Sequence, residues 1–228
     1  MGEMVHFVAD GGDTDAYMSL PEGGSGPGVL VIQEWWGLVP HIRDVCDRFA
    51  DEGFVALAPD LYHGETASEP DEAGKLMMAL NLERATKELS GAVDHLLALD
   101  AVNSEKVGVV GFCMGGGLAL AVACLRPDAI GACVPFYGVI PWENLSPDFD
   151  RLEAPVLGHF AEKDAFFPPE KARSLEETLR AKGKRAEIIV YPGVDHAFFN
   201  DTRPEVYDRE AAVSAWERTV TFLRDNLC

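Results

Sequence analysis

The sequence predicts one three-layer α/β domain, in which a mostly parallel β-sheet carries helices on both faces. Segments with strand-like and helix-like patterns alternate along the 228 residues. Most strand-like segments are short uninterrupted apolar runs, such as GVLVIQ at residues 28–33, which are typical of parallel strands buried on both faces. No internal repeat or linker divides the chain, so we expect residues 1–228 to form a single domain.

Each element follows from its local pattern. The first two strand-like segments flank Gly11, Gly12 and Asp13, a turn-forming run that predicts an opening β-hairpin. Strands are predicted over residues 4–9, 15–20, 28–33, 54–58, 106–112, 132–137, 155–160 and 186–191. In the helical segments, apolar residues recur three and four positions apart and so form one apolar face. Helices are predicted over residues 40–52, 71–80, 82–100, 114–125, 170–182 and 207–227.

The chain is strongly acidic, with 38 Asp and Glu residues against 19 Lys and Arg residues and a formal net charge of -19. Such a surface lacks the basic stripe that binds nucleic-acid phosphates, and it disfavours docking to anionic lipid. We therefore expect no nucleic-acid partner and no membrane partner. We interpret the acidity as a solubility feature, which a high-salt habitat would also favour.

The cysteines and the N-terminal segment indicate a reducing compartment. The five cysteines are odd in number and include no CxxC pair, which argues against a disulfide framework. The N-terminal segment lacks the basic and apolar regions of a signal peptide, and no run reaches the ~18 to 20 apolar residues of a membrane helix. We expect a cytoplasmic protein that is a monomer or a weak homodimer.

The residues that can carry chemistry come directly after predicted strands. In a parallel sheet, the carboxyl ends of the strands meet at one edge, where ligands bind. Glu34 follows the third strand and Cys113 follows the fifth. Asp164 follows the seventh strand and His196 follows the eighth. The sequence therefore predicts a site at this edge that contains a thiol, two carboxylates and an imidazole.

The strongest local motif is Gly111-Phe112-Cys113-Met114-Gly115, between a buried strand and a helix. It has the form G-x-C-x-G, a nucleophile elbow with cysteine in the usual serine position. The glycines let the strand and the helix approach closely, and the turn puts the thiol at a helix N-terminus, where the dipole favours thiolate. Considered alone, the motif is equally compatible with a buried structural cysteine.

A nucleophilic thiol needs a base, and the base needs an orienting group. His196 is the candidate base and Asp164 the candidate orienting group, in the chain order nucleophile, acid, base that α/β-hydrolases use. Glu162 is the alternative orienting group. Asp195 is the weaker candidate, because side chains of adjacent residues rarely face each other. The remaining histidines form neither an HExxH motif nor a Cys/His pair, so we expect no metal site and no cofactor.

Acyl transfer also needs hydrogen-bond donors for the oxyanion. The N–H of Met114 is one candidate, and the second is expected near Trp35, in the loop after the third strand. Glu34, in the same loop, is either a solvated carboxylate or a partnered group close to the thiol. The aromatic residues predicted to line a substrate pocket, or in some cases to fill the core, are Trp36, Tyr62, Tyr137, Phe198 and Phe199.

Four strings together resemble the dienelactone hydrolases, or carboxymethylenebutenolidases: QEWWG, GFCMGGG, the EKD of residues 162–164, and YPGVDHAFF. The resemblance runs from about residue 4 to the C-terminus. It implies an α/β-hydrolase fold and the hydrolysis of a cyclic enol ester by a Cys-His-Asp triad through an acyl-enzyme intermediate. It also implies that Cys113 is the nucleophile, His196 the base and Asp164 its partner. Glu34 then helps to activate the thiol, and the two amides named above form the oxyanion hole.

The chain departs from this resemblance where the substrate carboxylate is held. Members of the family use arginines in two places, which correspond here to residues 70–72 and to Asn200, and Ala197 replaces a serine. The loss of a charge-assisted hydrogen bond costs ~1.5 to 3 kcal/mol, so we expect weak binding of an anionic lactone. A neutral or bulkier ester or lactone is the alternative substrate.

Other functions fit the same residues. A thioesterase or a carbon–carbon bond hydrolase would use the same scaffold, and a non-catalytic member would keep the pocket without a reactive thiol. The combination of Cys113, His196, Asp164 and Glu34 favours an enzyme. We therefore expect a hydrolase that acts on a small-molecule ester or lactone.

Overall fold

The structure, a computed structural model, describes residues 2–10 and 12–228. Gly11, part of the predicted first turn, lies outside the described residues. The strands are β1 (Glu3–Ala9), β2 (Gly12–Ser19), β3 (Gly28–Ile32), β4 (Val55–Pro59), β5 (Val107–Phe112), β6 (Ile130–Phe136), β7 (Val156–Ala161) and β8 (Ala186–Tyr191). The helices are α1 (Pro40–Asp51), α2 (Pro70–Ala79), α3 (Leu82–Ala98), α4 (Met114–Leu125), α5 (Pro169–Ala181) and α6 (Arg209–Leu227).

The strands form one sheet in the order β1-β2-β4-β3-β5-β6-β7-β8. β2 pairs antiparallel with both β1 and β4, and all the other neighbours are parallel. Every residue of β3, β4 and β5 is buried, as uninterrupted apolar runs predict for strands covered on both faces. The predicted mostly parallel sheet is therefore confirmed.

Two apolar clusters cover the two faces of the sheet. Leu30 and Ile32 of β3 belong to the cluster that contains α3 and α4. Val29 and Val31 of the same strand belong to the cluster that contains α1 and α6. Successive side chains of a strand point to opposite faces, so the helices form one layer above the sheet and one below it.

The predicted elements differ from the observed ones mainly at their ends. Pro70 and Pro169 begin α2 and α5, one residue earlier than the apolar pattern indicates. Proline suits the first helical position because the N–H it lacks would have no intrahelical acceptor there. The short 3-10 turn Phe149–Arg151 was not predicted, because so short a turn has no apolar periodicity. Among the described residues, no helix combines the length and the apolar character needed to cross a membrane.

Candidate active site

Cys113 lies at the sharp turn between β5 and α4. Its backbone has φ 54° and ψ -120°, and a positive φ is uncommon for a residue other than glycine. Two glycines make the turn possible: a Cβ at Gly111 would lie 2.0 Å from the carbonyl oxygen of Gly115, and a Cβ at Gly115 would lie 2.5 Å from that of Gln33. The local sequence thus holds the Cys113 side chain at the carboxyl end of β5, where the residue is 8% exposed.

His196 pairs with a buried carboxylate and lines the same pocket as the thiol. Its Nδ1 lies 2.7 Å from Oδ2 of Asp164, whose side chain is completely buried. The other oxygen of Asp164 accepts the N–H groups of Phe166 and Phe167 at 2.8 and 2.9 Å. Burial opposes protonation of His196, but hydrogen bonds to Asp164 and Cys113 outweigh burial and raise the pKa of His196 to about 10. The site therefore favours an imidazolium at neutral pH.

The two other acids considered as partners of His196 do not pair with it. Glu162 accepts the N–H of Gly193 at 2.8 Å, and Asp195 is exposed. Across residues 2–10 and 12–228, the carboxylate paired with His196 is that of Asp164. Of the two candidate orienting groups, the structure thus brings only Asp164 to the imidazole.

Glu34 is buried, with 1% of its surface exposed, so its interpretation as a solvated carboxylate is wrong. The hydroxyl of Tyr137 donates to Oε1 at 3.3 Å, and Nδ2 of Asn200 donates to Oε2 at 2.8 Å. Thr202 orients this amide, because its N–H and its hydroxyl both donate to Oδ1 of Asn200. Burial and the charge of Glu34 raise the pKa of Tyr137 well above its usual range, so the phenol remains a donor.

A pocket of about 270 Å³ opens at this edge of the sheet, and Cys113, His196 and Glu34 all line it. The rest of its wall is apolar except for Arg203. The apolar residues are Trp35, Trp36, Pro70, Met77, Val139, Pro141, Phe166 and Ala197. The ring of Phe166 is 58% exposed and lies 5.0 Å from the imidazole of His196. The pocket therefore combines an apolar wall with the group of side chains that can do chemistry.

The structure corrects the aromatic lining predicted for the pocket. Trp36 reaches the wall. Tyr137, Phe198 and Phe199 are at most 2% exposed and pack in the core layer shared with α1 and α6. Tyr62 lines a separate cavity, and its hydroxyl donates to Sδ of Met114 at 3.3 Å. Aromatic residues that follow a buried strand also fill the space between sheet and helices, so their position in the sequence does not identify substrate contacts.

The two predicted oxyanion donors are the backbone N–H groups of Trp35 and Met114. Within the described chain, neither the N–H of Trp35 nor that of Met114 donates a hydrogen bond. Met114 is the first residue of α4, and the first N–H groups of a helix have no intrahelical acceptor. Both groups are therefore available to a substrate oxygen.

Arg203 is a pocket residue that the sequence patterns did not reveal. Its guanidinium lies 5.3 Å from the ring centre of Trp36 and forms an ion pair with Glu205 at 2.8 Å. Arg203 therefore gives the pocket a cation, although it stands at neither of the two positions where the family resemblance places arginines. Arg203 lies shortly after Asn200 in the loop between β8 and α6, where no apolar periodicity predicts the direction of a side chain. The sequence showed only that a cation follows the histidine closely.

Other reactive groups lie outside this pocket. Cys46, Cys124 and Cys133 are buried free thiols, and Cys228 is an exposed one. Burial raises the pKa of Cys46 and Cys133 and raises that of Cys124 to about 11, so these three behave as hydrophobic side chains. In the part of the chain that the structure describes, no three His, Cys, Asp or Glu side chains cluster as metal ligands do. A larger groove of about 870 Å³, between β1 and α3, contains none of the predicted site residues.

Comparison with known proteins gives a consistent set of relatives. The model of the "Dienelactone hydrolase family" matches residues 14–227. "Protein usf" from Aquifex pyrophilus is 40% identical over 233 residues, and the match covers 100% of both chains. A "Putative carboxymethylenebutenolidase" from Aquifex aeolicus is 36% identical over 233 residues, again with 100% of both chains covered. The crystal structure of a "Putative Dienelactone Hydrolase" from Klebsiella pneumoniae has a TM-score of 0.87, 30% identity and 98% coverage of each chain.

Proposed function

The chain belongs to the dienelactone hydrolase family of α/β-hydrolases and is a hydrolase of this type, and from this premise we propose that it cleaves carboxylic esters or lactones through a triad of Cys113, His196 and Asp164. The observation that carries the proposal is the 2.7 Å contact between Nδ1 of His196 and Oδ2 of Asp164. That contact leaves Nε2 for the thiol, whose hydrogen bond contributes to the raised pKa of the imidazole.

In the proposed reaction, the thiol proton resides on Nε2 of His196, and Sγ of Cys113 attacks the carbonyl carbon of the ester. A C–S bond forms, and the carbonyl electron pair moves to oxygen, where the N–H groups of Trp35 and Met114 are positioned as donors. Collapse of this intermediate expels the leaving oxygen, which takes the proton from Nε2. Water then attacks the thioester carbonyl and gives a proton to Nε2 of His196. Collapse of this second intermediate breaks the C–S bond, releases the acid and restores the starting pair of Cys113 and His196.

Asp164 supports both halves of this cycle. One carboxylate oxygen holds Nδ1 of His196, which fixes the tautomer and stabilises the imidazolium. The other oxygen accepts two backbone N–H groups, of Phe166 and Phe167. Because both oxygens are engaged, the carboxylate does not rotate away from the imidazole between the two steps.

The pocket favours a small substrate that is mostly apolar and carries an anionic group. Its volume of about 270 Å³ and its apolar wall suit a compact ring, and Arg203 supplies a cation in that wall. The name of the Aquifex aeolicus relative denotes action on a butenolide that bears a carboxymethylene group. A lactone with a carboxylate substituent, placed near Arg203, is therefore the substrate class that we propose.

The test is the hydrolysis of a p-nitrophenyl ester by Cys113→Ala beside Cys133→Ala, a matched control in which a buried thiol away from the pocket is removed. We expect the Cys113 variant to lose at least about 10³-fold in kcat/KM, whereas the control keeps activity close to that of the unmodified enzyme. Retention of activity by the Cys113 variant would contradict the proposed nucleophile.

A further inference from the structure

We propose that Tyr137 and Asn200 form a neutral clamp that fixes the Glu34 carboxylate beside the thiol, so that Tyr137 is a positioning residue and not a substrate contact. The inference rests on the proposed function, because the clamp affects the reaction only if Cys113 is the nucleophile. It assigns a role to a tyrosine that is fully buried and does not line the pocket.

Three loops meet at this one carboxylate. Glu34 follows β3, Tyr137 follows β6 and Asn200 lies in the loop after β8. Each oxygen of Glu34 receives one donor, the tyrosine hydroxyl at 3.3 Å or the amide nitrogen at 2.8 Å. All three side chains are at most 1% exposed. The clamp therefore replaces the water that an ionised carboxylate would otherwise bind.

Both donors are held rigidly by contacts of their own. Tyr137 has φ 37°, a conformation that a non-glycine residue rarely adopts, and its N–H donates to the carbonyl oxygen of His159 at 2.6 Å. Its ring packs edge-on against the imidazole of His196, with 4.9 Å between the ring centres. The amide of Asn200 is oriented by Thr202. Contacts within the protein thus fix the positions of both donors.

The loop that carries Asn200 also contacts helix α1. Asp201, the next residue, forms an ion pair with Arg48 of α1. His41 of the same helix lies with its Nδ1 3.5 Å from Oδ1 of Asp201. The loop that carries the amide donor is therefore attached to the helix that follows the Glu34 loop.

The neutrality of the two donors has a chemical consequence. A cationic partner would cancel the charge of Glu34, whereas a hydroxyl and an amide satisfy its oxygens and leave the charge in place. Glu34 lines the same pocket as Cys113 and His196. The clamp therefore holds the charge of Glu34 in the wall that it shares with Cys113 and His196. From this position the carboxylate can help to activate the thiol, as the family resemblance implies.

The experiment compares Tyr137→Phe with Tyr17→Phe. Tyr17 is a matched control because its hydroxyl also donates to a carboxylate, that of Asp47 at 3.1 Å, at the contact between β2 and α1. We expect Tyr137→Phe to lower kcat for ester hydrolysis about tenfold or more and to leave KM within about twofold. Tyr17→Phe should change neither of these quantities.

Two results would overturn the clamp. One is a kcat for Tyr137→Phe equal to that of Tyr17→Phe, and the other is a change confined to KM, which would make Tyr137 a substrate contact. If Tyr137→Phe does not fold, Asn200→Ala decides by the same measurements, since it removes the other donor. The proposed function fails separately, if Cys113→Ala remains active. Loss of activity in Cys113→Ala with an unaffected Tyr137→Phe would refute the clamp alone.

Discussion

Two buried histidines of this protein differ in their proton affinity. His159, inside β7, lies between the hydroxyls of Tyr191 at 3.0 Å and Thr219 at 3.1 Å, and its burial lowers its pKa to about 3. His196, after β8, is also largely buried, with a side chain that is 14% exposed. Its pKa is nevertheless raised to about 10, because its pairing with Asp164 and Cys113 outweighs the effect of burial.

The difference shows what makes a buried histidine chemically useful. Removal from water disfavours the charged imidazole in both places. The hydroxyl partners of His159 are neutral and do not offset this cost, so the residue packs as a polar member of the core. The carboxylate of Asp164 does offset it at His196. The charge of the partner, and not the degree of burial, therefore separates the candidate base from the structural histidine.

The largest expected effect comes from exchanging each histidine for glutamine. His196→Gln should lower kcat/KM for ester hydrolysis about 10³- to 10⁴-fold, because the base is lost. His159→Gln should leave kcat/KM within a few-fold but lower the free energy of unfolding by about 1 to 3 kcal/mol, since buried hydroxyls lose a partner. Steady-state kinetics and urea denaturation of both variants measure the two effects. Similar losses of activity in both variants, at equal stability, would remove the distinction between the two histidines.

A smaller effect is expected where the charged partner belongs to the substrate. Arg203→Gln should raise KM about tenfold for an ester that carries a carboxylate and leave KM unchanged for a neutral ester of the same size. Arg224→Gln is the control, because Arg224 also lies over an aromatic ring, that of Phe54 at 5.9 Å, and pairs with Glu52. Equal changes of KM for the charged and the neutral ester would show that Arg203 does not recognise the anion.

The sequence alone was enough to predict the residues of the candidate site that lie just after the strands. Cys113 and Asp164 follow the buried strands β5 and β7, and His196 follows the half-buried edge strand β8. A parallel sheet brings such strand ends to one edge. The elbow motif also predicted the helix that begins at Met114. These inferences needed only the order of the elements and the apolar period of the strands.

The partners of Glu34 and the position of Arg203 could not be predicted in this way. A residue beyond a strand end has no period that fixes the direction of its side chain, so Tyr137 was expected in the pocket and lies behind it. Asn200 and Arg203 lie close together in one loop, yet one contacts the buried carboxylate and the other the pocket wall. That difference depends on tertiary contacts such as those of Thr202.

The most direct measurement of the central claim is an NMR titration of the imidazole nitrogens of His196 and His159. We expect His196 to keep its proton until pH is about 10 and His159 to stay neutral until pH is about 3. In Asp164→Asn, the His196 titration should move to lower pH, because the charge that holds the proton is gone. A His196 that titrates below the ordinary value of 6.5 in the unmodified enzyme, as burial alone requires, would contradict the account.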